Sequence, residues 1–231
     1  MLEVHGLNQS YGESRTLWDM DLTVEQGSFT CLMGRNGVGK TTLLKTIMGL
    51  LPLKSGGIRF GDVDLAREAC ERRAEHGIGY VPQGREIFGQ LTVAENLRIG
   101  LTARGRRTAR IPDRVFEFFP VLRNMLNRRG GDLSGGQQQQ LAIGRALALN
   151  PQMLILDEPT EGIQPNIVGH IAEILTELNR NHGVTVLLVE QKLPFARKLA
   201  DRFVVMDRGR AVASGAIADL SSEVVSKHLT V

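Results

Sequence analysis

The stretch Gly34-Arg35-Asn36-Gly37-Val38-Gly39-Lys40-Thr41 constrains this chain more than any other. It spells G-x-x-x-x-G-K-[ST] and lies between a short apolar run, Phe29-Thr30-Cys31-Leu32-Met33, and a helical run from Thr42 to Leu50. A glycine-rich turn from a buried strand into a helix start wraps backbone N–H groups around an anion, and the helix adds its positive end. Lys40 is expected to neutralise β- and γ-phosphate charge, and the Thr41 hydroxyl to bind Mg²⁺. Arg35, Asn36, Val38 and Thr42 complete the stretch read as nucleotide-binding. A surface lysine after a flexible turn is the plain alternative, and the strand and helix on either side favour the nucleotide.

Other short apolar runs end as abruptly: Ile78 to Val81 before Pro82-Gln83, Met153 to Leu156 before Asp157-Glu158, and Val184 to Val189 before Glu190-Gln191. Runs without alternation suit strands buried on both faces of a parallel sheet. Helical spacing of Ile167, Ile171, Ile174, Leu175 and Leu178 after Gln164-Pro165, and a run from Leu141 to Leu149 stopped by Asn150-Pro151, alternate with them, which makes the chain α/β. Residues 1 to 30 alternate apolar and polar, as in a half-exposed antiparallel sheet. Strand signals vanish from 88 to about 150, which reads as an inserted helical subdomain of a single domain spanning 1–231. Arg104, Arg106, Arg107 and Arg110 crowd together there, and a solvated loop is preferred for them over a lipid- or RNA-binding patch.

Composition excludes several classes. No run approaches the roughly 18 apolar residues of a transmembrane helix, and Met1-Leu2-Glu3-Val4 does not read as a signal peptide, so a cytosolic chain is expected. Two cysteines, Cys31 and Cys70, in 231 residues rule out a disulfide scaffold, and both are expected to be reduced and structural. A net charge of +3 with 5% aromatic residues argues against nucleic acid as a partner.

The acids follow the buried strands. Asp157 and Glu158 end a run whose carboxyl edge is where ligands of open α/β folds bind. Asp157 is expected to hold Mg²⁺ and Glu158 to polarise the attacking water, since phosphoryl transfer depends on positioning and electrostatics. Gln83, after another such strand, is placed to reach the metal and the water. Further on, Ser134 can cap the helix that follows, and Gly135-Gly136-Gln137 leaves its first N–H groups open to an anion. One γ-phosphate cannot occupy two loops of one small domain unless they meet, so the second loop is expected to serve another subunit.

With these motifs in order, the chain resembles the ATP-binding subunits of ABC transporters over nearly its whole length. The family's Walker A matches Gly34 to Thr41, its Q-loop Gln83, its signature Leu133 to Gln137 and its Walker B Met153 to Glu158. The resemblance implies a phosphate-loop, RecA-like core with a mostly parallel sheet, an N-terminal antiparallel β subdomain and an inserted helical subdomain. It also implies a homo- or heterodimer that sandwiches ATP between Walker A of one subunit and Ser134, Gly135, Gly136 and Gln137 of the other, with Glu158 as catalytic carboxylate and Tyr11 stacked on adenine. Two permease subunits and a substrate-binding protein would complete an importer, with this chain peripheral on the cytoplasmic face of the inner membrane.

Two positions depart from the family pattern. Gln164 stands where the D-loop usually has Asp, and Gln191 where the switch His usually ends the next strand; Gln can hydrogen-bond the γ-phosphate but carries neither charge nor proton. Both departures resemble the second ATPase subunit of importers for branched-chain amino acids and for urea or short amides, and urea is preferred on Tyr80 to Phe88 and Ser134 to Gln140. A branched-chain amino acid importer and a nucleotide-gated module with negligible turnover stay open as alternatives.

Overall fold

The computed structural model describes residues 1–102 and 110–229. Arg104, Arg106 and Arg107 of the arginine cluster lie outside the described residues. The chain opens with β1 (Leu2–Tyr11) and β2 (Ser14–Val24), which pair antiparallel, Leu2 facing Val24 and Tyr11 facing Ser14. β3 (Phe29–Met33) leads through the phosphate loop into α1 (Lys40–Ile47). β4 (Ser55–Phe60) and β5 (Val63–Asp64) return to the first sheet, whose order is β2-β1-β4-β5. That antiparallel layer is therefore built from two separated segments, and the sequence reading anticipates only the first.

α2 (Glu71–Glu75) precedes β6 (Ile78–Val81); then come α3 (Val93–Thr102), α4 (Asp113–Phe118), α5 (Pro120–Arg123) and α6 (Gly135–Ala148). β7 (Met153–Asp157), α7 (Pro165–Arg180), β8 (Thr185–Val189), α8 (Leu193–Leu199), β9 (Arg202–Asp207), β10 (Arg210–Ala216) and α9 (Ser222–His228) complete the chain. The second sheet runs β10-β9-β3-β8-β7-β6, parallel except for the antiparallel pair of β10 with β9.

The central strands β3, β7 and β8 lack alternation because both faces are covered. Along β7, Leu154 and Leu156 pack into the core shared with α3, α6 and α7, whereas Met153 and Ile155 pack into the core shared with α1 and the antiparallel sheet. β8 divides in the same way, Val186 and Leu188 to one side and Leu187 and Val189 to the other. Period-2 geometry thus sends the apolar residues of these strands alternately into one of two apolar layers, at roughly 1.5–3 kcal/mol of favourable transfer per large side chain.

Two expectations are corrected. The helix read as Thr42 to Leu50 begins at Lys40 and ends at Ile47. Gly49 terminates it: φ is +72°, and a Cβ there would lie 2.9 Å from the Arg73 guanidinium carbon, so the chain turns where only glycine fits. Of the cysteines, Cys31 is buried in β3 but Cys70 is exposed, so the structural reading holds for Cys31 alone. Burial, reinforced by the charge of Glu190, pushes the Cys31 thiol far above its ordinary value.

Candidate nucleotide site

The carboxyl ends of β3, β7 and β8 meet at a cleft of about 640 Å³. Asn36, Gly37, Gly39, Lys40, Thr41 and Thr42 line one side, and Gln83, Glu158 and Gln191 the other. Gly34 closes the loop against β9: a Cβ there would sit 2.4 Å from the Met206 carbonyl oxygen. α1 has no side-chain cap, so its first N–H groups are left for a ligand.

Lys40 is only 5% exposed and folds back over its own loop, donating to the Gly34 carbonyl at 2.8 Å and the Arg35 carbonyl at 2.9 Å. Burial lowers its pKa, while Glu158 and Asp157 pull it up. Glu158 Oε1 is 3.7 Å from the ammonium. That acid sits at φ +48°, immediately past β7, and its N–H donates to the Val189 carbonyl of β8 at 3.0 Å. The Gln191 amide donates to Glu158 Oε1 and to Asn36 Oδ1, each at 2.6 Å. The switch position therefore bridges the phosphate loop and the acid.

Asp157 differs from its neighbour. It is 1% exposed, and neither carboxylate oxygen has a hydrogen-bond partner among the described residues. Burial raises its pKa, helped by the Glu158 charge; Thr41 and Lys40 pull the other way, the Thr41 hydroxyl being close enough to favour the charged form without a well-formed hydrogen bond. Two orphaned, buried oxygens beside a threonine hydroxyl are hard donors of the kind Mg²⁺ takes when phosphates supply the rest of its shell. Among the described residues, no group of three or more His, Cys, Asp or Glu is placed to hold a metal ion by itself.

Other expected residues fall less centrally. Gly34 and Arg35 line an adjoining hollow of about 280 Å³ together with Asn36, Gln191 and Leu229. Val38 packs against the core under the antiparallel sheet, and its carbonyl accepts from Gly209 at 2.9 Å. Tyr11, 51% exposed, sits beside the phosphate-loop helix with its hydroxyl 3.5 Å from that of Thr42. Gln83 donates to Glu161 Oε2 at 3.0 Å, across the cleft mouth. Thr16, Thr160, Glu161, Glu190 and Lys192 also line the cleft and are missed by sequence reasoning. Glu190 directly precedes Gln191 after a buried strand, so the strand-end rule that selects Asp157 could have selected it too.

The second anion-binding motif is elsewhere. Ser134 caps α6 reciprocally with Gln137, the Ser134 hydroxyl accepting from the Gln137 N–H at 3.4 Å and the Gln137 side chain accepting from the Ser134 N–H at 3.0 Å. Ser134, Gly135, Gly136 and Gln137 line a separate cleft of about 380 Å³ with Gly162, Gln164 and Ile167. The two clefts share no lining residue.

Known proteins resemble this chain along most of its length. Residues 17–161 match the family described as ABC transporter. The chain is 42% identical over 213 residues to the high-affinity branched-chain amino acid transport ATP-binding protein BraG of Pseudomonas aeruginosa, covering 92% of this chain and 91% of that one. It is 34% identical to the probable branched-chain amino acid transport ATP-binding protein LivF of Archaeoglobus fulgidus, covering 95% and 94%. Among solved structures, a dimeric ATP-binding cassette in a post-hydrolysis state with ADP and phosphate superposes with a TM-score of 0.84 at 25% identity, covering 94% of this chain and 99% of that one. With the phosphate loop, Gln83, Glu158 and Gln191 around one cleft and relatives this similar along almost their whole lengths, the chain belongs to the ABC transporter family, as one of its ATP-binding, ATP-hydrolysing subunits.

Proposed function

We propose that this ATPase works as half of a head-to-tail pair and powers import of branched-chain amino acids. The observation that carries the paired arrangement is the separation of two phosphate-binding helix starts into clefts that share no residue. A second ATP-binding subunit, identical or related, would bring its Ser134-type helix start to the nucleotide held by Lys40. The solved cassette with ADP and phosphate is itself dimeric, which supports a paired state.

Within one cleft, the phosphates of ATP displace the Gly34 and Arg35 carbonyls as partners of Lys40, and the open N–H groups of α1 take their oxygens. Tyr11, beside Thr42, offers its ring to the base. Thr41, Asp157 and Gln83 would hold Mg²⁺, which when bound neutralises phosphate charge. Glu158 orients the attacking water and accepts its proton, while Gln191 holds that carboxylate toward the phosphate loop. Such a carboxylate, paired and aimed, supports turnover rather than a gate with none.

The cargo reading departs from the urea preference of the sequence. BraG and LivF are both named for branched-chain amino acid transport, and neither for urea. The residues that suggested urea surround the nucleotide and α6, whereas cargo would be met by permeases and a substrate-binding protein. No helix among the described residues is long and apolar enough to cross a membrane, in keeping with a peripheral subunit held on the cytoplasmic face of the inner membrane by two permeases. Reconstitution with those permeases and the binding protein tests the cargo. ATP turnover should rise with the leucine-loaded binding protein and stay basal with urea; stimulation by urea alone would reverse the assignment.

A further inference from the structure

The buried acid Glu190 lies in the cleft and has no part in the chemistry above. It is 3% exposed, and its backbone N–H donates to the Leu32 carbonyl of β3 at 3.3 Å. Both of its carboxylate oxygens accept hydrogen bonds. Oε2 accepts from the Thr160 hydroxyl at 2.6 Å, and Oε1 accepts from the N–H groups of Gln191 at 2.8 Å and Lys192 at 3.0 Å. The Lys192 ammonium adds a further tie, donating to the Thr160 carbonyl at 3.2 Å.

These contacts close a ring. From Glu158 the chain runs through Pro159 to Thr160; the Thr160 hydroxyl bridges to Glu190; the chain continues to Gln191; and the Gln191 amide returns to Glu158 at 2.6 Å. The loops after β7 and β8 are joined at both ends of this ring. We infer that Glu190 is a positioning residue, whose hydrogen bonds fix the loop of Gln191 against the loop of Glu158 and so set the direction of the catalytic carboxylate. The inference rests on the reading of Glu158 as the residue that orients water.

The contribution is hydrogen-bonding geometry, not charge. A further carboxylate in a cleft that already holds Glu158 and Glu161 and receives polyphosphate repels its ligand, so its charge works against binding. A glutamine could keep the whole pattern: its oxygen would accept from both loop N–H groups, and its amide would donate to the Thr160 oxygen, which accepts as readily as it donates.

Steady-state phosphate release by the full-length chain, with binding of a fluorescent ATP analogue measured alongside, tests this. Glu190→Ala and Thr160→Val should lower kcat about ten- to a hundredfold while KM and analogue affinity stay within about threefold, the loss of an aligned group and not of binding. Glu190→Gln should keep at least about a third of the wild-type kcat. Because both act through one carboxylate, Glu190→Ala added to Gln191→Ala should slow turnover by no more than about a further twofold. Glu190→Gln as slow as Glu190→Ala, or losses that multiply in the double variant, would overturn the inference. Where Glu190→Ala fails to fold, Thr160→Val decides: wild-type kcat in that variant overturns the inference. Glu158→Gln is the control, and should abolish turnover while leaving analogue binding intact. Turnover that persists in it would overturn the reading of Glu158, and this inference with it; turnover lost there but retained in the ring variants would overturn this inference alone.

Discussion

Asp157 and Glu158 are adjacent acids with opposite surroundings, and the backbone separates them. Glu158 adopts a left-handed φ of +48°, which costs a residue of its kind on the order of 1 kcal/mol and bends the chain as β7 ends. Glu158 meets Lys40 and Gln191, whereas Asp157 stays beneath the loop with both oxygens unpartnered among the described residues. Burial raises the Asp157 carboxyl above its ordinary 3.8. An acid raised on folding supports the fold only while protonated, and that support is lost as pH rises from about the ordinary value through the raised one. Once ionised, the buried group is a standing cost in the nucleotide-free chain, which the Mg²⁺ and nucleotide proposed for this site would relieve. Asp157→Asn should therefore raise the stability of the nucleotide-free protein at neutral pH, on the order of 1 kcal/mol, and reduce the further stabilisation by Mg²⁺ with ATP. Thermal melts with and without the ligands check both signs; a less stable nucleotide-free variant would mean that Asp157 is satisfied in a way the geometry does not show.

At the scale of elements, the best-read parts of the sequence are those where one local rule acts alone. Strands buried on both faces announce themselves as unbroken apolar runs, and Gly34 to Thr41 names its own loop. The rest depends on distant partners. β4 carries Ser55-Gly56-Gly57 and becomes a strand because β1 pairs with it, Leu2 opposite Phe60 and Val4 opposite Ile58. β10 is mostly exposed, and its pairing with β9 is what orders it. The short α2 is a clearer case still, because its purpose is to place one residue. Arg73 is 2% exposed and donates to the carbonyls of Ile47, at 3.2 Å, and Leu65, at 2.6 Å, and to those of Glu68 and Ala69. One guanidinium thereby satisfies the carboxyl end of α1 and the loop before α2, a role that the second arginine of Glu71-Arg72-Arg73 does not advertise. Arg73→Met should destabilise the chain by about 3 kcal/mol by leaving the Ile47 carbonyl without its donor and removing the buried ties to Leu65 and Glu68, seen as a lower urea midpoint with an unchanged slope. A midpoint equal to wild type would show that water replaces the guanidinium there.

For the whole molecule, the parallel sheet gathers Lys40, Gln83, Glu158 and Gln191 at one edge, and α6 opens a different cleft with Ser134. The departures at 164 and 191 also divide between these clefts, Gln164 with the α6 helix start and Gln191 with the phosphate loop. Both motifs are legible in the sequence, as is the argument that they serve one phosphate only if two chains meet. What sequence could not supply is the ring that ties Gln191 to Glu158, since hydrogen bonds between Thr160 and Glu190 leave no spacing to recognise. On the pairing proposed above, the separation of the clefts would make turnover a property of a pair. Its most direct test is the ATPase rate per chain across a hundredfold dilution, alone and with a second ATP-binding subunit, for the wild type and for Ser134→Arg. The paired site predicts that the rate per chain falls on dilution and that Ser134→Arg abolishes hydrolysis at the nucleotide held by the other subunit. A rate per chain that is constant on dilution and unchanged by Ser134→Arg would contradict it.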